Sequence, residues 1–285
     1  MIITRLTGGL GNQMFQYAAG KSLALAKSTE LKLDVRAYEN DYLGLRKYEL
    51  NYFRISGQLA SAREIGIVRK TGVRSWPEML KPIHQRSVYR EPHFHFDSRF
   101  FDASENAYLE GYWQSEKYFV GQSEVFRQEF TLKDSIDPPN ARLADQIDRT
   151  ESVSLHIRRG DYLTNPHVAK LHPACGLDYY EKAIAFFETQ LKNPHFYVFS
   201  DDLLWARANL PTRHPTTFVD NPGKNHQDLV LMSYCTHQIT ANSSFSWWAA
   251  WLNRNPDKKI VCPRNWFSAA DRDTRDLLPQ AWIKT

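Results

Sequence analysis

MIITRLTGGLGNQMFQYAAGKSLALAKSTELKLDV (Met1–Val35) decides the class of fold. Ile2–Leu6 is a short β-type run, and Gly8–Gly11 is a glycine-rich turn. Asn12 has the chemistry of a helix cap. Gln13–Lys27 then sets Met14, Tyr17, Ala18, Leu23 and Leu25 in a helix-compatible pattern. Leu31–Val35 reads as a second strand. A strand, turn, helix and strand in this order make a β-turn-α-β unit, whose natural class is α/β with a parallel sheet.

Outward from this unit, residues 38–115 are irregular and rich in aromatic, His and Arg residues, as in VYREPHFHF (Val88–Phe96). They predict a strand at Ala107–Glu110 leading into a loop at Gly111–Gln114, and Ser115–Leu132 is partly helical in pattern. DSIDPPNARLADQIDRT (Asp134–Thr150) carries two adjacent prolines and a polar run, the texture of a domain boundary. Beyond it the alternation is regular. Strands are predicted at 152–157, 195–200, 216–219, 237–241 and 259–262, and helices at 178–191, 225–235 and 245–253. The expected organisation is an N-terminal α/β domain over 1–140, a second α/β domain over 150–270, and a C-terminal helix near Arg272–Leu278, within 271–285, packing back towards the first domain. Two such halves imply a cleft, and ligands of open α/β sheets sit outside the carboxyl ends of the strands.

The bulk properties fit a globular chain. The 285 residues carry 36 basic and 32 acidic side chains and are 42% apolar, which excludes general disorder. The 3 cysteines, Cys175, Cys235 and Cys262, are too few and too far apart for a disulfide framework and indicate a reduced compartment. Glycines stand where a secretory leader would be apolar, and FSWWAAWL (Phe245–Leu252) is too short to span a bilayer. A soluble cytoplasmic protein is expected, with at most peripheral contact with a membrane. A net charge of +4 suits an anionic small substrate and carries no nucleic-acid footprint.

Chemistry concentrates at four places. His156-Ile157-Arg158-Arg159-Gly160-Asp161 follows an apolar strand. Two adjacent guanidiniums offer rigid forks of N–H donors, suited to a pyrophosphate and to the charge that develops as it leaves. Asp161 could orient an arginine or accept a proton; the plainer reading is a surface salt-bridge cluster. Asn242-Ser243-Ser244, at a strand-to-helix turn, offers an anion site at a helix N-terminus or ordinary capping. Ser200-Asp201-Asp202 ends another strand, where a carboxylate can read guanine or a ribose, or cap the helix from Leu203. In the Gly8-Gly9-Leu10-Gly11-Asn12-Gln13 loop, Gly9 and Gly11 let a ligand approach the helix and Asn12 and Gln13 offer amides. The glycine spacing fits neither the dinucleotide fingerprint nor a P-loop. Asp228 opens a further helix, where dipole reasoning alone accounts for it and a sugar or phosphate contact is the alternative. His93, His95 and Asp97 would share one face of a strand. With no HExxH and no paired cysteines, no metal is expected.

Together these motifs resemble the bacterial α-1,2-fucosyltransferases, glycosyltransferase family 11. The likeness rests on Met1–Ala24, SLHIRRGDY (Ser154–Tyr162), FSDD (Phe199–Asp202) and ANSSFSWWAAWL (Ala241–Leu252), and runs through both halves without departing from the family motifs. It implies a GT-B-like fold of two Rossmann-like domains facing each other across a cleft. It implies that fucose passes with inversion from GDP-β-L-fucose to the 2-hydroxyl of a β-galactose on an oligosaccharide acceptor, with no cofactor and no divalent metal. By the same resemblance, Arg158 and Arg159 hold the donor phosphates, Ser200, Asp201, Asn242, Ser243 and Ser244 complete the donor side, and the Gly8–Gln13 loop faces the fucose. The base is open between Asp161, His156, Glu91 and the leaving phosphate itself. Two rivals are weaker: an epimerase or dehydrogenase lacks its glycine fingerprint, and a non-catalytic glycan-binding module leaves the arginine pair without a purpose.

Overall fold

The computed structural model describes residues 1–39, 46–69, 80–268 and 272–285, and the side chains of Asp161, His167 and Val168 lie outside that description. The chain forms two compact units. One is Met1–Lys133 with Arg272–Leu278, and the other is Asp134–Asp271 with Pro279–Thr285.

In the first unit, β1 (Ile2–Arg5), α1 (Leu10–Ala26) and β2 (Leu31–Asp34) realise the opening β-turn-α-β motif. β3 (Gln58–Leu59), α2 (Ala62–Arg69), β4 (Val88–Arg90), β5 (Ala107–Glu110) and α3 (Ser123–Glu129) follow. The sheet is wholly parallel, in the order β3-β2-β1-β5-β4. Strand order reverses between β1 and β5, which makes their carboxyl ends this unit's switch point. The α1 helix buries Met14, Phe15, Tyr17, Ala18, Ala19 and Leu23, more than one face of it. It can lie this close to β1 because of Gly20, where a Cβ would stand 2.0 Å from Thr4 Oγ1. The helix begins earlier than expected. Gly9, extended at φ −78° and ψ 175°, occupies the N-cap, so Asn12 falls inside the first turn and caps nothing. The aromatic stretch is mostly core: Tyr89, Phe100, Trp113 and Tyr118 pack on one another with centroids 4.9–6.0 Å apart.

The second unit opens with α4 (Pro138–Asp148), which occupies most of the stretch read as a domain boundary. The paired prolines start this helix rather than interrupt a chain. Asp137 caps it through Asn140 N, 3.1 Å away, and proline in the first turn sacrifices no helical hydrogen bond. Then come β6 (Glu151–Ile157), α5 (Gly160–Thr164), α6 (Pro166–Leu171), α7 (Leu177–Gln190), β7 (Pro194–Ser200), α8 (Leu203–Asn209), β8 (Thr216–Val219), α9 (Asn225–Tyr234), β9 (His237–Ile239), α10 (Ser244–Leu252), β10 (Ile260–Cys262) and β11 (Ile283–Lys284). This sheet too is parallel, in the order β11-β10-β9-β6-β7-β8, the doubly wound arrangement of a Rossmann-like unit. Its switch point lies between β6 and β9. Val153, Leu155 and Ile157 of β6 pack with Tyr180, Ile184 and Phe187 of α7 in a continuous core. Trp247 and Trp248 are fully buried, so the tryptophans of α10 are core residues.

Among the described residues 272–285 the expected C-terminal helix is absent. Residues 272–278 form turns, in which Asp273 Oδ1 accepts from Arg275 N at 3.1 Å and Leu277 N bonds to Thr274 O at 3.0 Å. A carboxylate that takes a nearby backbone N–H competes with the helix for it. Asp276 instead ties this segment to the first unit, accepting from Phe96 N at 3.0 Å and from Lys117 Nζ at 2.6 Å. No helix among the described residues is long and apolar enough to cross a membrane.

Candidate active site

The register of the second sheet sets Ile157 of β6 opposite Ser200 of β7, so Arg158 and Asp201 leave their strands side by side. They form an ion pair at 2.8 Å. The same carboxylate accepts the backbone N–H groups of Arg159 (2.8 Å) and Gly160 (3.1 Å). A Cβ at 160 would lie 2.7 Å from Asp201 Oδ2, so any larger residue there would push that carboxylate out of place. Arg159 turns the other way. Its Nε donates to Asp202 Oδ2 at 3.2 Å, and its guanidinium lies 3.9 Å from the centre of the Trp205 ring. Asp202 also caps α8 through Trp205 N, and Ser200 Oγ receives Asp202 N at 2.9 Å. The two guanidiniums are therefore braced from behind by the acidic end of β7.

Across the switch point, the chain leaves β9 into Asn242, Ser243 and Ser244. Ser243 caps α10, accepting Phe245 N at 3.4 Å. Asn242 is 1% exposed, and its amide donates to Pro173 O (2.8 Å) and Trp266 O (3.1 Å) while accepting the Cys175 thiol. It holds loops together rather than reaching outward. Tyr162 locks the turn to it by donating to Asn242 O at 3.0 Å. His156 is buried 5.5 Å from the Phe245 ring, with Nδ1 unpartnered. Burial, partly offset by the Asp201 charge, pulls its pKa down to about 4, which keeps it neutral near pH 7 and a poor proton acceptor. Asp228, at the start of α9, accepts Asn221 Nδ2 at 2.8 Å, and burial pushes its carboxyl up to about 7. The side chain of Asp161 lies outside the described residues.

At the first unit's switch point the Gly8–Gln13 loop follows β1. Gln13 is fully buried, and its amide is committed to Gly8 O, Lys47 O and Glu49 N. Gly11 is buried in the first turn of α1. Asn12 Oδ1 receives Gln114 Nε2 at 2.8 Å, and Gln16 Nε2 reaches Gly111 O at 3.2 Å, so the loops after β1 and β5 are laced together. Glu91, just past β4, accepts Tyr112 N at 2.7 Å and Trp113 N at 3.0 Å. His93 and His95 do not alternate along a strand: their rings stack at 3.6 Å, while Asp97 is taken by Arg99 and Tyr89. Among the described residues, no group of three or more His, Cys, Asp or Glu could hold a metal ion.

Residues 1–284 match the family described as Glycosyl transferase family 11. The chain belongs to glycosyl transferase family 11. The match reaches across both switch points, and this glycosyltransferase has full-length relatives. It is 35% identical to an alpha-1,2-colitosyltransferase of Escherichia coli, over 100% of this chain and 98% of the relative. It is 33% identical to the O-antigen biosynthesis glycosyltransferase WbnK of the same organism, with 98% of each covered. The rat galactoside alpha-(1,2)-fucosyltransferase 1 is 32% identical, over 50% of this chain and 41% of the relative. Among solved structures, the fucosyltransferase NodZ from Bradyrhizobium superposes with a TM-score of 0.50 at 14% identity, covering 87% of this chain and 90% of that one. That likeness is one of fold, and it agrees with two Rossmann-like units, the domain content of a GT-B-like enzyme.

Two aromatic residues beside the arginines carry no obvious chemical signal in the family 11 sequence, and the bracing role of Asp202 is not visible there. Tyr162 and Trp205 read as ordinary aromatics, and Asp202 reads as a helix cap. Each becomes visible only through the register that joins β6, β7 and β9. For Asp202 the sequence signal is an Asp-Asp pair and an Arg-Arg pair, each just past a strand.

Proposed function

We propose that this glycosyltransferase moves L-fucose from GDP-β-L-fucose to the 2-hydroxyl of a terminal β-galactose, with inversion and without a metal. The observation that carries the reading is the Arg158–Arg159 pair at the carboxyl end of β6, at the switch point and across from the first turn of α10. The planar, forked N–H donors of a guanidinium match the oxygens of a diphosphate, and two adjacent ones suit its two phosphates. Their fixed charge, together with the α10 N-terminus, stabilises the negative charge that grows on the β-phosphate as the glycosidic bond opens. This is the charge a divalent metal would otherwise supply. Asp201 and Asp202 hold the forks in place beforehand, which limits reorganisation during the reaction.

A second reading concerns the sugar alone. The 35% identical, full-length relative is named for colitose, which is fucose without its 3-hydroxyl. The relatives named as galactoside fucosyltransferases match over only half of this chain. One assay separates the two. GDP-fucose and GDP-colitose are each incubated with a panel of β-galactosides, and the new linkage is located by NMR. Calorimetry with GDP, and with UDP and NAD as controls, tests the nucleotide. Arg158→Ala is expected to lower kcat by about 100-fold or more while the fold is kept. Near-normal turnover of that variant would remove the arginines from the donor site. The relative named for O-antigen biosynthesis supports a setting in surface polysaccharide assembly.

A further inference from the structure

We propose that Glu91 is the catalytic base that takes the proton from the acceptor hydroxyl. The inference rests on the transfer reading above and names the group that reading leaves open. Among the described residues, the carboxylates that end β2 and β5 are closed off by arginine. Asp34, ending β2, is held by both Nε and Nη2 of Arg36, and Glu110, ending β5, by Arg90 at 2.7 Å. Glu91 receives only backbone N–H groups, one on each oxygen, so each oxygen keeps a lone pair for a sugar hydroxyl.

The surrounding turn is built around it. Trp113 has φ +56°, a left-handed conformation that a bulky residue adopts only when its surroundings impose it. The Glu91 clamp and the full burial of the indole impose it here. Gly111 permits the approach, since a Cβ there would sit 2.5 Å from that of Glu91. The strained turn leaves Tyr112 exposed beside the carboxylate, as a ring on which a sugar face can stack. Through Gly111 O and Gln114 the same turn is tied to the first turns of α1, so the turn that holds Glu91 lies beside the switch point between β1 and β5. Burial pushes its carboxyl up to about 7, against the two N–H groups and the charges of His93 and Arg272. Tyr118 is the further titratable group that feels it. A base of this strength suits a reaction near neutrality.

In the step, the acceptor O–H bond breaks and its proton passes to a Glu91 oxygen. The electron pair left on the acceptor oxygen forms the bond to the anomeric carbon. The bond from that carbon to the β-phosphate oxygen breaks, and its pair leaves with GDP.

The test compares kcat against pH for the wild type, Glu91→Gln and Glu91→Asp at saturating donor and acceptor, with GDP calorimetry as the folding check. Wild-type kcat should rise with pH to a plateau, half-reached near pH 7. The Gln variant should lose about 100-fold or more in kcat and lose that limb, with GDP affinity unchanged, and Asp should restore part of the rate and the limb. A Gln variant within threefold of wild-type kcat that keeps the limb overturns the assignment. If the Gln variant fails to bind GDP, the wild-type profile decides, and a flat kcat between pH 6 and 8 overturns it. Absence of wild-type turnover with either GDP-sugar overturns the transfer reading itself, an outcome distinct from an active wild type with an indifferent Gln variant.

Discussion

Buried ionisable side chains set how this protein's stability responds to pH, and they pull in opposite directions. Asp228 holds its proton up to about pH 7 in the folded chain, where the unfolded chain releases it near 3.8. Its contribution is therefore greatest below pH 3.8 and falls as pH rises through 7. Glu91 acts in the same sense between 4.5 and about 7. His156 is neutral down to about 4 when folded and takes a proton at 6.5 when unfolded, so its contribution is present above 6.5 and lost as pH falls to 4. Asp228→Asn keeps an oxygen for Asn221 and removes the titration. The variant should lose less stability than the wild type between pH 5 and 7.5, a difference on the order of 3 kcal/mol at most. Thermal unfolding at the two pH values checks this, and equal slopes would contradict it. At this scale the sequence supplies residue types but not the directions in which their side chains point. Asn242 and Gln13 have the chemistry of ligand-binding amides, yet both spend it on carbonyls far along the chain, Trp266 and Lys47 among them. Local pattern holds no information about such partners.

Among the elements, the parallel strands and their helices were legible because their burial is periodic and their ends are marked. β6, β7, α7 and α10 lie within about a residue of where the pattern set them. The prolines of α4 misled because proline marks a helix start as readily as a break, and only the cap at Asp137 tells the two apart. Gly20 gives a test of how closely α1 lies on β1. In an exposed helix, Gly→Ala gains about 1 kcal/mol. Here the new methyl would meet Thr4 Oγ1 at 2.0 Å and Leu31 Cδ1 at 3.0 Å, so Gly20→Ala should destabilise by roughly 1–3 kcal/mol. That corresponds to a fall in Tm of several degrees. Gly121→Ala, with nothing within 4 Å, is the control and should leave Tm within about a degree.

For the whole molecule, the C-terminal stretch serves both units in turn. Asp276 bonds to the first, and β11 then completes the second sheet, with Thr285 N on Cys262 O at 3.0 Å and Trp282 packed on Trp247. Deleting 279–285 should bare the edge of β10, lower the stability of the second unit and promote aggregation. Hydrogen exchange should show the loss in β9 and β10, with β1 and β5 still protected; uniform loss in both sheets would refute this division. The sequence missed this stretch because its short apolar run, Ala281–Ile283, is too brief to announce a strand. Its pairing is set by β10, about 20 residues earlier.

The division also has a consequence for the growing polypeptide. On the ribosome the strands of the first unit emerge first, but its last piece, 272–278, is translated only after the entire second sheet save β11. A nascent chain with β1 to β5 already paired therefore still lacks Asp276 under Phe96 and Lys117. The amino-terminal half must wait, incomplete, through most of translation. A stalled or prematurely terminated message would release a protein in which neither half is whole.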